Sequence, residues 1–197
     1  MTPAAVAEMP AACAEVEWSA DELRAFIERD VIVAMAGGIA EQRSMKGSEA
    51  GFIRWRSQAE LYAYHESGHI VVAAALGWCP WKASIVPDSS VKVGRGTRAG
   101  FAQYGVTDEP PMAPDSGIEN ETDRQSAAKS LLCLSLRGEE GPRGWRGAIR
   151  IANRLRSQAH SLIEGNWSVV NRLAIALVQY RELNRDQIGR LLRLDKM

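Results

Sequence analysis

The chain has few residues of the types that most often carry chemistry. Among its 197 residues are three cysteines and three histidines, and neither sign of charge is in excess. Cys13, Cys79 and Cys133 are too few and too scattered for a disulfide framework, and no CxxC spacing is present to hold a metal, so a reducing compartment is expected. Lys and Arg total 24 against 24 Asp and Glu, a formal net charge of zero, which argues against a protein built to neutralise phosphates. Long apolar runs are also missing. VIVAMAGGIA from Val31 and IVVAAALGWCPW from Ile70 fall short of the roughly 20 residues that cross a bilayer. The first basic residue is Arg24, preceded by Glu8, Glu15 and Glu17, so the N-terminus lacks the positive head of a signal peptide. A cytoplasmic protein without a membrane anchor is the expectation. With 46% hydrophobic and 24% charged residues, the composition is that of a soluble globular chain long enough to bury one core.

Residues 1–18, rich in Ala, Pro and Glu, read as a flexible lead-in, and 19–197 as a single domain. Ser19 with Glu22 three positions on forms a capping-box pattern. It opens a helix over about 20–43, on which Leu23, Phe26, Ile27, Asp30, Val31 and Ala34 trace one stripe. The glycines and small polar residues of 44–51 read as a loop. A second helix runs from about Ser57 to Leu76 and stops at Gly77, with Pro80 beyond it. WKASIVPD from Trp81, VKVG and GFAQYGV read as two or three short strands joined by GRGTRAG, a small β-hairpin or meander. Three prolines in 108–117 make that stretch a long loop. The second half, 120–197, reads as helical. It has one helix from about Asn120 and a second with Trp145, Ala148, Ile149, Ala152, Leu155, Ala159, Leu162 and Ile163 on one face. An apolar helix, a short turn near 183–185 and a terminal helix follow. Arg143, Arg146, Arg150 and Arg154 line another face of the helix after Trp145, and a solvated surface is the plainer reading of that row. The fold class is mainly α with a small β-hairpin or meander, an α+β arrangement.

Two of the three histidines stand four residues apart in His65-Glu66-Ser67-Gly68-His69, an HExxH motif. On a helix, positions i and i+4 lie one above the other, with Cβ atoms about 5–6 Å apart, so two imidazoles converge on one ion. The expected ion is zinc, with His65 and His69 as ligands and Glu66 as the general base toward an attacking water. The longer metzincin pattern is excluded, because it requires Gly and His where this chain has Val72 and Ala75. The third histidine, His160, reads as a partly buried structural residue.

HESGHIVVAAALG followed by KASIVPD resembles the FtsH-type zinc peptidase domain, which has an HE-small-GH helix, a small apolar tail and a V-S-I-x-P strand. The segment from Ala152 to Leu192 is similar to that family's closing helices, and AMAGGIAEQ at 34–42 is similar to its AGG-x-AAE helix, although here that helix precedes the motif. The resemblance implies a zincin-like peptidase domain acting on peptides or already unfolded protein segments. GRGTRAG lacks the Lys-Ser/Thr that ends a phosphate loop, so no built-in unfoldase is expected, and any unfoldase would be a separate partner. The resemblance also implies an acidic third zinc ligand at a helix start, for which Asp123 with Ala127 is the best match. Glu121, its neighbour, and Glu49 are the alternatives. An extended substrate would pair with a strand near Ser84–Val86 or near Phe101–Tyr104. No nucleic acid or membrane partner is expected, and a homo-oligomer stays open. The alternative function is a catalytically silent zincin-like module that binds a protein or nucleic acid through the Arg143–Arg154 face.

Overall fold

A computed structural model describes residues 19–46, 56–86, 88–93, 96–98, 100–105 and 145–193. In chain order its elements are α1 (Ala20–Met45), α2 (Gln58–Ala75), β1 (Cys79–Ser84), β2 (Asp88–Val93), β3 (Gly96–Arg98), β4 (Phe101–Gly105), α3 (Trp145–Gly165), α4 (Trp167–Tyr180), β5 (Glu182–Asn184) and α5 (Arg185–Arg193). The helices are joined by a three-stranded antiparallel sheet, which makes the described part mostly α with a small sheet. The expected lead-in over 1–18, the helix after Asn120, the loop over 108–117 and most of the loop over 44–51 lie outside the described residues. Among the described residues, no helix is long and apolar enough to cross a membrane.

Both long N-terminal helices begin as their sequences dictate. The Ser19 side chain accepts from the Glu22 amide while the Glu22 carboxylate accepts from the Ser19 amide, and Ser57 and Glu60 repeat the arrangement at α2. Donation from the Ser19 hydroxyl, and then from its amide, holds the Glu22 carboxyl below its ordinary range. At the other end of α2, Gly77 takes a φ of +85°, a conformation that favours glycine, and the chain turns there into β1.

The central element is α2, buried almost all round from Ala63 to Ala73. It runs antiparallel to α1, since Glu41 meets His65 while Val33 meets His69. Small residues let the two backbones close up: a Cβ on Gly68 would sit 2.7 Å from the Ala36 carbonyl oxygen and 2.8 Å from the Ala40 methyl. α4 covers another side of α2 with Val170, Leu173 and Leu177. α3 adds Leu155, Ala159 and Ile163 to the same core. Each of the larger side chains contributes about 1.5–3 kcal/mol on burial. By contrast, the bridge from α3 to α1, Arg154 to Glu28 at 2.7 Å, is surface-exposed and worth about 0–1 kcal/mol.

The start of α2 is pinned by stacked rings and guanidinium groups. Arg56 lies 4.2 Å over the Tyr64 ring, Tyr64 stacks on Trp167 at 5.6 Å, and Arg43 covers Trp167 at 4.9 Å. Arg56 also donates from Nε to the Ser44 carbonyl, and the Tyr64 hydroxyl to Asn171 Oδ1. α1, α2 and α4 are thereby tied at the residue immediately before His65.

In the sheet, β1 is central, with β4 on one side and β5 on the other, both antiparallel. β2 and β3 form a separate two-stranded ladder inserted between β1 and β4. The sheet therefore differs from a simple hairpin or meander, because its third strand comes from the far end of the chain. Glu182–Asn184, expected only as part of a turn, pairs with Lys82–Ser84. On α3, Ala148, Leu155, Ala159 and Ile163 are buried as expected, but Ile149 is 43% exposed. His160 is also exposed, not partly buried, because it follows the core-facing Ala159 by one residue and so turns outward.

Candidate metal-binding and catalytic site

The HESGH segment occupies the middle of α2 and spreads its side chains around the helix. His65 and His69 lie one turn apart, with ring centroids 4.8 Å apart and planes at 76°. Both rings face α1. His69 is buried, and its Nδ1 lies 2.8 Å from the Val33 carbonyl oxygen. A carbonyl only accepts, so Nδ1 carries the proton there and the His69 lone pair is on Nε2. His65, with its side chain 25% exposed, places Nδ1 3.2 Å from Glu41 Oε2. A carboxylate in that position sets the same tautomer and turns Nε2 inward.

Gly37, on the facing turn of α1, shows where the two Nε2 atoms point. A Cβ built on Gly37 would lie 2.8 Å from His65 Nε2 and closer still to His69 Nε2, with His65 Cδ2 also at 2.8 Å. Both nitrogens therefore converge on one small space that only a glycine leaves open. A pair of neutral imidazole nitrogens is suited to zinc, which binds histidine nitrogen at about 2.0–2.1 Å. On this observation the residues present fit half of a tetrahedral site. Among the described residues no group of three His, Cys, Asp or Glu side chains converges to complete it. Asp123, Glu121 and Glu49 all lie outside the described residues.

Glu66, one residue on from His65, is turned toward the sheet and is buried. A Cβ on Gly100 would lie 3.0 Å from Glu66 Oε1 and 2.7 Å from the Ser84 carbonyl, so the backbone entering β4 passes directly over this carboxylate. The histidine pair thus faces α1, while the acid between them faces the β1–β4 end. Of the two strands expected to offer an edge, β1 is paired on both sides, and β4 is at the edge of the sheet.

Several contributors were given no part in the site by motif reading: the Val33 carbonyl and Gly100 before β4, and also Gly37 and Glu41, which lie in the AMAGGIAEQ stretch of α1. The only local hint is a glycine pair inside a helical stretch, where each glycine costs about 1 kcal/mol relative to alanine and so signals a close approach. Asp30 belongs to the same face of α1. Burial pushes its carboxyl up to about 6, and the nearby His69 charge opposes that shift. Of the arginine row, Arg143 lies outside the described residues, Arg150 is exposed, and Arg154 is engaged with Glu28. Burial acts to raise the Glu28 carboxyl, and Arg154 and Arg24 outweigh it, holding it below the usual range.

No protein-family model matches the chain, and no curated protein matches it.

Proposed function

We propose that the chain is a zinc-dependent peptidase of the FtsH-like, zincin type, acting on peptides or already unfolded segments. The observation that carries this reading is the convergence of His65 and His69 Nε2 on the space left by Gly37, with Glu66 between them in the chain and its carboxylate buried beneath Gly100. His65 and His69 would hold the metal together with Asp123, for which Glu121 and Glu49 are the alternatives. Zinc, when bound, supplies Lewis-acid polarisation of the scissile carbonyl and acidifies water. The protein's own part is proton handling and orientation. Glu66 takes the proton from the attacking water on its carboxylate and delivers it to the departing amine. Glu41 and the Val33 carbonyl keep both imidazoles in the tautomer that offers Nε2. The substrate backbone would pass beside Gly100 and β4, next to that carboxylate.

The test is Glu66→Gln. Zinc content is expected to stay at one equivalent while peptide hydrolysis falls by about 10²–10⁴-fold. His65→Ala and Asp123→Ala are expected to lose the metal. Undiminished hydrolysis in Glu66→Gln would sink the mechanism. A wild-type chain that takes up no zinc when zinc is supplied would sink the metal reading and favour the silent binding module.

A further inference from the structure

Three strands meet at Ser84, the last residue of β1. It pairs with Phe101 at the start of β4 and with Glu182 at the start of β5, and it is fully buried. The Ser84 hydroxyl donates to Glu182 Oε1 at 3.1 Å and accepts from the Val86 amide, also at 3.1 Å. The second carboxylate oxygen of Glu182 lies 3.2 Å from Lys82 Nζ, so this carboxylate holds two residues on one face of β1. On the β4 side, the Ser84 carbonyl leaves no room for a methyl on Gly100. A Cβ there would lie 2.7 Å from that oxygen and 3.0 Å from Glu66 Oε1. Glu182, Ser84, Gly100 and Glu66 therefore form one packed row, from the C-terminal strand to the acid of HESGH. The corner that delivers Glu182 is strained: Arg181 takes a φ of +67°, a left-handed conformation costly for a residue with a side chain. Its carbonyl accepts from the Ile85 amide at 2.9 Å, which ties the same corner to the exit of β1.

We propose that Glu182 is a positioning residue for the reaction: it fixes Ser84, and through Ser84 the Gly100 backbone that sets where the Glu66 carboxylate stands. The proposal rests on the peptidase reading above. Proton transfer by a general base depends closely on geometry, and a misplacement of about 1 Å costs on the order of 10²-fold in rate. Gly100 has no side chain to anchor it, so the ladder at Ser84 sets its place beside Glu66. A buried hydroxyl that loses its acceptor turns to another partner, and the backbone packed against it moves.

The test combines three measurements: hydrolysis of dye-labelled casein by the zinc-loaded protein, zinc affinity by chelator competition, and the amide resonance of Gly100 in the metal-free protein. They are made on wild type, Glu182→Ala, Glu182→Gln, Ser84→Ala and the double variant of Glu182→Ala with Ser84→Ala. Glu182→Ala is expected to lower kcat about 10-fold, with KM and zinc affinity within about twofold of wild type, and to displace the Gly100 resonance. Glu182→Gln keeps an acceptor oxygen for Ser84, so it is expected to hold kcat within about threefold of wild type and return the resonance to its place. The double variant is expected to lose no more than Glu182→Ala alone, because both substitutions remove the same link. Wild-type kcat in Glu182→Ala overturns the proposal, as do an equal loss in Glu182→Gln, additive losses in the double variant and an unmoved Gly100 resonance. A loss of zinc affinity that matches the loss of kcat also overturns it, since it marks a general disturbance of the fold. Undiminished hydrolysis in Glu66→Gln, or none in wild type, fails the peptidase reading and takes this proposal with it. Loss in Glu66→Gln with wild-type kcat in Glu182→Ala fails the role of Glu182 alone.

Discussion

The two histidines are held in different ways, although they are one turn apart on the same helix. His69 is buried and fixed by a backbone carbonyl, which no side-chain substitution removes and no pH change titrates. His65 is a quarter exposed and fixed by Glu41, a carboxylate that is itself about a third exposed and can be removed or protonated. One end of the pair is therefore built into the packing of α1 on α2, and the other depends on a replaceable group at the rim. The difference locates where the site tolerates change: the buried end is sensitive to the distance between the helices, and the open end to the chemistry of one side chain.

The largest effect is expected from closing the shared space. Gly37→Ala places a methyl 2.8 Å from His65 Nε2 and nearer to His69 Nε2, so zinc binding is expected to drop more than 100-fold. The melting temperature is also expected to fall, since overpacking costs about 1–3 kcal/mol. Gly38→Ala, whose added Cβ meets nothing within 4 Å, is the control. It is expected to raise stability by up to about 1 kcal/mol through helix propensity and to leave zinc affinity unchanged. Opposite signs at adjacent glycines, measured by thermal melts and chelator competition, sharpen the comparison. Equal effects would break it.

A smaller effect is expected at the open end. Glu41→Gln is expected to weaken zinc binding about 10-fold without lowering stability, because its contact with His65 is partly exposed. The smallest effect concerns the buried end and pH. The Asp30 carboxyl keeps its proton in the folded chain up to about pH 6, whereas an unfolded aspartate loses it near pH 4. A carboxyl raised in this way adds stability that is fully present below about pH 4 and is lost as pH rises through about 6. Metal-free wild type is therefore expected to lose on the order of 1–2 kcal/mol relative to Asp30→Asn between pH 4 and pH 7, read from denaturant melts at each pH. Parallel stability curves for the two proteins would show that Asp30 is solvated in both states.

Much of the helical framework was legible because its signals are local. Ser19 with Glu22 marks the start of α1, and Gly77 marks the end of α2 three residues before Pro80. The approach of His65 to His69 was legible for the same reason, since a spacing of four residues on a helix is a contact. The orienting groups were not. Glu41 and Val33 meet His65 and His69 across 24 and 36 residues of chain, and nothing in either short segment announces the partner. The strand Glu182–Asn184 was missed because three residues are too few to show alternation, and its partner β1 lies about a hundred residues earlier. Ile149 and His160 were misplaced by a single step around a helix, where neighbouring residues differ by about 100° and the packing partner decides which side is inside.

The sequence by itself determined that α2 would carry His65, Glu66 and His69 at a spacing suited to one ion, because helical geometry turns chain separation directly into distance. Only the tertiary structure decided which way those groups face. The antiparallel packing of α1 on α2 sets both Nδ1 atoms against acceptors and both Nε2 atoms toward Gly37, while the entry to β4 at Gly100 sets the wall beside Glu66. The physical reason is that a motif fixes relative positions on one element, whereas orientation, burial and local field come from the surfaces that pack against it.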